Sequence, residues 1–97
     1  MEILFEWDAS KARSNFQKHG IHFDEAKTIF NDPLLLTYPD DIHSDEEERF
    51  ISIGYSYRNR ILLVVHTEHQ EIADGFIVRI ISCRRATNTE CRFYEEA

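Results

Sequence analysis

Glycine is scarce in this sequence, with three residues in 97, and no two of them lie close together. Phosphate-binding loops of nucleotide-binding proteins need clustered glycines, because only glycine lets the backbone approach a phosphate closely. The usual nucleotide-binding loops are therefore excluded. A G-x-S-x-G motif is also missing, and Ser82 and Cys83 stand in no other nucleophile motif, so nothing indicates covalent catalysis.

Long apolar runs are missing as well. No segment approaches the roughly 20 apolar residues that a membrane-spanning helix needs. The first residues, MEILFEWD, lack the basic start and the apolar segment of a signal peptide. Only two cysteines occur, Cys83 and Cys91, and we expect both to be free thiols. The sequence thus predicts a cytoplasmic protein that does not associate with membranes.

Two histidine pairs have the spacing H-x-x-H, namely His19 with His22 and His66 with His69. Gly20 interrupts the helix between the first two, and no cysteine or carboxylate completes a familiar ligand set at either pair. We therefore expect no metal and no cofactor. A metal-dependent enzyme that uses these histidines stays open as a further alternative.

Negative charge is concentrated in one segment. The formal net charge is −7, and six of the nine residues from Asp40 to Glu48, DDIHSDEEE, are acidic. The remainder of the chain is therefore nearly neutral. Such a block is typical of a solvated loop, although a docking site for a basic partner stays open.

The hydrophobic pattern predicts one α+β domain over residues 1–97. ILFEWD alternates like a strand, and a helix follows from the N-cap Asp8 to Gly20. HFDEAKTIFNDP predicts a second helix. Four strands are then predicted in LLLTYP, RFISIGYS, ILLVVHTE and FIVRIISC, with HQEIADG connecting the last two. Thr87 and Glu90 form a capping box that begins a closing helix. We expect an antiparallel sheet of about four to five strands with two N-terminal helices and one C-terminal helix.

Adjacent arginines follow the last predicted strand and precede the capped helix. Arg84 and Arg85 could offer fork-like donors, beside the N–H groups of a helix end, to a phosphodiester. Ordinary surface ion pairs with Glu90, Glu95 or Glu68 are the alternative interpretation.

His66 closes the apolar run ILLVV, so we expect it at a strand end. A partly exposed imidazole there has a pKa near neutrality and can act as an acid or a base. A hydrogen-bonded structural histidine is the alternative. Trp7 is predicted to lie in the core, whereas Lys18 and His19 also fit the favourable end of a helix dipole.

Several motifs occur together and in order across the chain: FEWD, NFQKHGIHFDEA, DPLLLTYPD, ERFISIGYS, RILLVVHTE and VRIISCRRAT. In this order and spacing they resemble the BrnT-type toxins over essentially the whole chain. The resemblance implies a fold similar to RelE-like ribonucleases and a type II toxin that arrests growth by cutting RNA without a metal. It also implies a BrnA-like antitoxin partner, contact with operator DNA only through that antitoxin, and a complex of two toxins with two antitoxins.

Carried over to this sequence, the family motifs name two groups of site residues. The candidates for catalysis are His66, Arg84, Arg85, Lys18 and His19. The candidates for RNA binding are Arg49, Arg79 and Ser82, and the E-R motif also names Glu48, without a role. Such a set suggests RNA transesterification, in which a base removes the 2′-OH proton, arginine stabilises the phosphorane and an acid protonates the leaving oxygen. Which residue is base and which is acid stays open.

His69 stands where the family usually has arginine, which removes one potential phosphate contact. The acidic balance also disfavours non-specific RNA binding. The alternative function is therefore a non-catalytic binding module, an inactive toxin-like partner of an antitoxin or a transcriptional regulator.

Overall fold

Five strands form one mixed sheet in this computed structural model, which describes residues 2–44 and 47–97. The spatial order is β1-β5-β4-β3-β2. The elements along the chain are β1 (Glu2–Glu6), α1 (Ala9–His19), α2 (Phe23–Ala26), a 3₁₀ helix (Lys27–Asn31), β2 (Leu36–Pro39), β3 (Phe50–Tyr55), β4 (Ile61–Ile72), β5 (Gly75–Arg85) and α3 (Asn88–Glu96). The predicted α+β class and the number of strands are confirmed.

The prediction of a purely antiparallel sheet is wrong, because β1 pairs with β5 in parallel. The chain crosses the sheet from β2 to β5 in antiparallel steps, and β1 then occupies the free edge of β5. Alternation of apolar residues has the same period in parallel and antiparallel strands, so the pattern of ILFEWD did not fix its direction.

The connection between β4 and β5 is shorter than predicted. Most of HQEIADG belongs to β4, and Ile72 already pairs with Gly75. A Cβ atom at Gly75 would lie 2.0 Å from the backbone oxygen of Glu2, so any side chain there would displace β1. Glycine is therefore required where the first strand meets the hairpin.

The second predicted helix is divided in two. α2 has four residues, and the chain then tightens into the 3₁₀ helix. The Thr28 hydroxyl donates to the backbone oxygen of Glu25 at 2.7 Å, a local bond that competes with regular helix geometry.

The predicted ends of the other helices are confirmed. Asp8 accepts from the backbone N–H of Lys11 at 3.1 Å, and Gly20 ends α1 with a positive φ of 71°. The capping box at Thr87 and Glu90 forms in both directions.

The two faces of the sheet are covered unequally. On one face, here called the helix face, α1, α2 and the 3₁₀ helix pack on the larger core, which contains Ile29, Val64 and Ile80. Trp7 is half-buried and packs against this core, with its ring 5.8 Å from that of Phe23. The other face, here called the open face, has a small cluster of Ile53, Leu63 and Tyr94 under α3.

Both cysteines are free thiols, as predicted. In the part of the chain that the structure describes, no helix is long and apolar enough to span a membrane.

Candidate active site

A groove of about 580 Å³ lies on the open face of the sheet beside α3. Five of the predicted site residues line it: Lys18, His19, Arg49, Ser82 and Arg84. They come from the end of α1, the residue before β3 and the last part of β5. The fold thus brings together side chains that lie far apart in the sequence. We call this cavity the groove.

The helix α1 is fixed to β5 at the groove. The side-chain amide of Asn15, which is buried, donates to the backbone oxygen of Cys83 at 2.9 Å and accepts from its N–H at 3.0 Å. Lys18 and His19 follow in the last turn of the same helix. Their position relative to Ser82 and Arg84 is therefore set by a buried contact.

A β-bulge also shapes the groove. Val65 pairs with Ser82, whereas His66 pairs with Ile80, so Ile81 is the additional residue in β5. Bulges bend a strand and redirect its side chains. Ile81 lines the groove and also a neighbouring cavity of about 400 Å³ that continues along α1 past Lys11.

Arg84 is held in place by Glu90 of α3. Its two terminal nitrogens donate to the two carboxylate oxygens at 2.8 and 2.9 Å. Arg84 lowers the pKa of Glu90 to about 2, with a further contribution from the backbone N–H of Thr87. The ion-pair interpretation is thus confirmed for Arg84, yet its side chain stays 39% exposed and lines the groove.

His66 does not reach the groove. It is fully buried on the helix face, with its ring packed edge-on against Phe30 and stacked with Phe50. Its Nε2 atom is 2.7 Å from the Ser52 hydroxyl, and burial lowers the pKa of His66 to about 4. The expectation of a partly exposed imidazole at a strand end is wrong, because β4 continues six residues further.

The two remaining predicted arginines also lie outside the groove. Arg79 forms an ion pair with Glu6 across the β1–β5 pair, at 3.3 Å. Arg85 is the last residue of β5 and is exposed. The two adjacent arginines point to opposite sides of the strand, since residues alternate between faces. They therefore do not act as one paired donor.

Two groove residues were not predicted as functional. Asp40 is buried, and both of its carboxylate oxygens lie within 3.2 Å of the Nδ1 atom of His43. Both residues line the groove. Both belong to the acidic block that was predicted to be a solvated loop, of which Asp45 and Glu46 lie outside the described residues. The sequence signal that could have identified these two residues is the D-x-x-H spacing within that block.

A cysteine, Cys83, also lines the groove, but its thiol is not reactive. Burial raises the pKa of the Cys83 thiol to about 12, which keeps it protonated and unreactive.

Over residues 2–44 and 47–97, no group of three or more histidine, cysteine or acidic side chains could hold a metal ion.

An open groove with several cationic side chains, on a small α+β domain, is suited to binding an anion such as a phosphodiester. The family model described as "Ribonuclease toxin, BrnT, of type II toxin-antitoxin system" matches residues 7–90. The chain therefore belongs to the BrnT family of ribonuclease toxins, as the motifs predicted.

The fold agrees with a solved member of that family. The crystal structure of the Brucella abortus ribonuclease toxin, BrnT, superposes with a TM-score of 0.61 at 20% sequence identity. The match covers 91% of this chain and 100% of the Brucella chain. No curated protein matches the sequence.

Proposed function

We propose that this chain is a metal-independent endoribonuclease that cuts RNA by transesterification in the groove, in the manner of RelE-like ribonucleases. Family membership supports a ribonuclease toxin. The observation that carries the location of the site is that Lys18, His19, Arg49, Ser82 and Arg84 line one cavity. We further propose that it acts in the cytoplasm.

In this mechanism the nucleophile is the 2′-OH of RNA, so no protein nucleophile is needed. Arg84 and Arg49 stabilise the charge that develops on the phosphorane, since preorganised donors contribute most where charge grows. Glu90 holds the Arg84 guanidinium in one orientation before RNA binds. Lys18 and His19, which line the same groove at the end of α1, supply donors for the leaving 5′ oxygen.

The neighbouring cavity along α1 gives RNA a path beyond the scissile phosphate. It shares Lys18, His19, Ile81 and Ser82 with the groove and adds Lys11. We propose that Ser82 and Lys11 contact the flanking backbone there. Arg79 and Arg85 lie outside both cavities and have no direct contact with RNA in this mechanism.

A type II toxin has an antitoxin partner, and we propose that a BrnA-like protein fills this role here. The complex would hold two toxins and two antitoxins, and only the antitoxin would contact operator DNA. Large apolar side chains at the surface support a covered interface: Leu34, Ile42, Tyr57 and Phe93 are each more than half exposed.

Two observations favour the alternative of a non-catalytic binding module. The charges of Arg84 and Arg79 are compensated by Glu90 and Glu6, in a chain of net charge −7. Both features weaken attraction to RNA phosphates.

Cleavage of RNA by the purified protein in a chelator separates these functions. Transesterification predicts products with 2′,3′-cyclic phosphate and 5′-OH ends. Arg49→Ala removes a groove cation that has no ion pair in the described chain, and we expect it to slow cleavage by about tenfold or more. Arg58→Ala is the matched control, because this exposed arginine lies in the turn between β3 and β4.

An equal fall in the rate of RNA cleavage in Arg49→Ala and Arg58→Ala would contradict a site in the groove. An intact RNA substrate with wild-type protein, together with tight binding to an antitoxin, would favour the binding module instead.

A further inference from the structure

An Asp–His pair lies in the groove, and it is assigned no role by the mechanism above. Nδ1 of His43 is 3.0 Å from one carboxylate oxygen of Asp40 and 3.2 Å from the other. The Asp40 side chain is only 8% exposed, whereas the His43 ring is 65% exposed. The carboxylate is thus a buried anchor, and the imidazole extends from it toward solvent.

The pair is attached to the sheet. The backbone N–H of Asp40 donates to Arg49 at 2.8 Å, which continues the β2–β3 pairing by one step beyond Pro39 and Phe50. Ser44 closes the turn: its hydroxyl donates to the Asp40 backbone oxygen at 2.7 Å and accepts from the Arg49 N–H at 3.0 Å. The base of the acidic loop is therefore a defined structure that places His43 at the rim of the groove.

This arrangement sets the tautomer and the orientation of the neutral imidazole. A carboxylate accepts hydrogen bonds, so in the neutral ring Nδ1 carries the hydrogen and Nε2 has the free electron pair. The contact with Asp40 also holds the ring in place, with Nε2 on the side that faces away from the carboxylate. The pair thus has the geometry of a general base with its positioning residue.

We propose that His43 is the general base of the cleavage reaction and that Asp40 is its positioning residue; this rests on the proposed ribonuclease function. Nε2 of His43 takes the proton of the RNA 2′-OH as the 2′ oxygen forms its bond to phosphorus. The bond from phosphorus to the 5′ oxygen then breaks. That oxygen takes a proton from Lys18 or His19, which regains a proton from water, and the imidazolium gives its own proton to water.

The other histidines of the chain fit this role less well. His66 is fully buried on the helix face. His19 lines the groove, but in the described chain it has no carboxylate partner that would orient its ring. His22 stacks on Phe16, with ring centroids 4.0 Å apart, and lies outside the groove. His69 has a carboxylate neighbour, since its Nε2 is 3.4 Å from Glu47, but it is not among the residues that line the groove either.

The test uses His43→Asn, whose amide can still donate to Asp40 but cannot accept a proton as a base. We expect kcat to fall by about 100-fold or more, with little change in KM. His22→Asn is the matched control and should cleave like the wild type. Asp40→Asn keeps an acceptor oxygen but loses the charge, so its fall in kcat should be smaller than that of His43→Asn.

A substrate with sulfur in place of the 5′ oxygen at the cut site identifies the role. A thiolate leaves without being protonated, so loss of a general acid is masked with this substrate and loss of a general base is not. We expect His43→Asn to be impaired equally on the oxygen and sulfur substrates.

Each of the other possible results overturns a specific part of the proposal. If the cleavage rate of His43→Asn recovered on the sulfur substrate, His43 would be the general acid, and its assignment as the base would be refuted. Wild-type rates in His43→Asn on both substrates would remove it from catalysis while leaving the ribonuclease function intact. A wild-type protein that cleaves neither substrate would refute the ribonuclease function, and the assignment of His43 with it.

Discussion

The Asn15 amide takes the place of a strand partner for Cys83. β1 ends at Glu6, which pairs with Arg79, so beyond that point no strand of the described residues lies along the outer edge of β5. Asn15 supplies both the donor and the acceptor that a strand would offer to the backbone of Cys83. Its amide also donates to Ile21 just after the helix, at 3.2 Å. One side chain thus joins α1, the following turn and the strand that carries Ser82 and Arg84.

Replacing Asn15 by alanine should therefore affect both stability and the groove. Two backbone groups of Cys83 would lose their partners in a buried place, which lowers the free energy of unfolding by about 1–3 kcal/mol. Cleavage should fall as well, because Lys18 and His19 lose their fixed position. Urea denaturation and RNA cleavage measure the two effects. Gln17→Ala, an exposed change on the same helix, is the control, and equal behaviour of the two variants would refute this role of Asn15.

Glu90→Gln should reduce stability in a pH-dependent way. Arg84 lowers the pKa of Glu90 from 4.5 to about 2 in the folded protein. A lowered carboxyl pKa means that the stabilisation is complete above the unfolded value and is lost as the pH falls through the folded value. The difference in free energy of unfolding between wild type and Glu90→Gln should be largest near neutral pH and vanish near pH 2. Urea titrations at several pH values measure it, and a difference that does not change with pH would contradict the ion pair.

Local signals in the sequence predicted both ends of α1 and the start of α3. Asp8, Gly20 and the Thr87–Glu90 box act through contacts within four residues, so their effect is visible in the sequence itself. The direction of β1 depends on which sheet edge is left free by the rest of the chain. That edge lies next to β5, more than 60 residues later, and no local pattern encodes it.

The candidate site was predicted only in part, because local sequence patterns do not show on which face of the sheet each residue lies. Family motifs named five residues that the fold assembles in the groove, yet they also named His66, which lies on the helix face. Sequence spacing does not tell which side of β4 a residue occupies when apolar residues run on both faces. Asp40 and His43 were not predicted as site residues, because they belong to an acidic block and composition alone does not distinguish a buried carboxylate from its solvated neighbours.

His66 should act as a pH-sensitive element of the core. Burial lowers its pKa from 6.5 to about 4, so the unfolded chain binds more protons between these values and stability falls as the pH falls. The loss amounts to about 3 kcal/mol between pH 6.5 and pH 4. His66→Gln should lack this component in urea titrations. If its role is structural, the folded variant should still cut RNA at neutral pH, whereas a strong fall in kcat with unchanged stability would support the catalytic role predicted from the motifs.

Tyr94 should hold α3, and with it Glu90, against the sheet. Its hydroxyl donates to Asp32, which also accepts from the backbone N–H groups of Tyr55 and Leu34 at 2.9 Å. Burial alone would raise the pKa of Asp32, but these three hydrogen bonds lower it overall. Tyr94→Phe removes one donor from a partly buried carboxylate and should lower the free energy of unfolding by about 1–3 kcal/mol. Urea denaturation measures this change, and Phe93→Leu, on the exposed side of α3, is the control. If Tyr94→Phe were as stable as that control, α3 would be held by apolar packing alone.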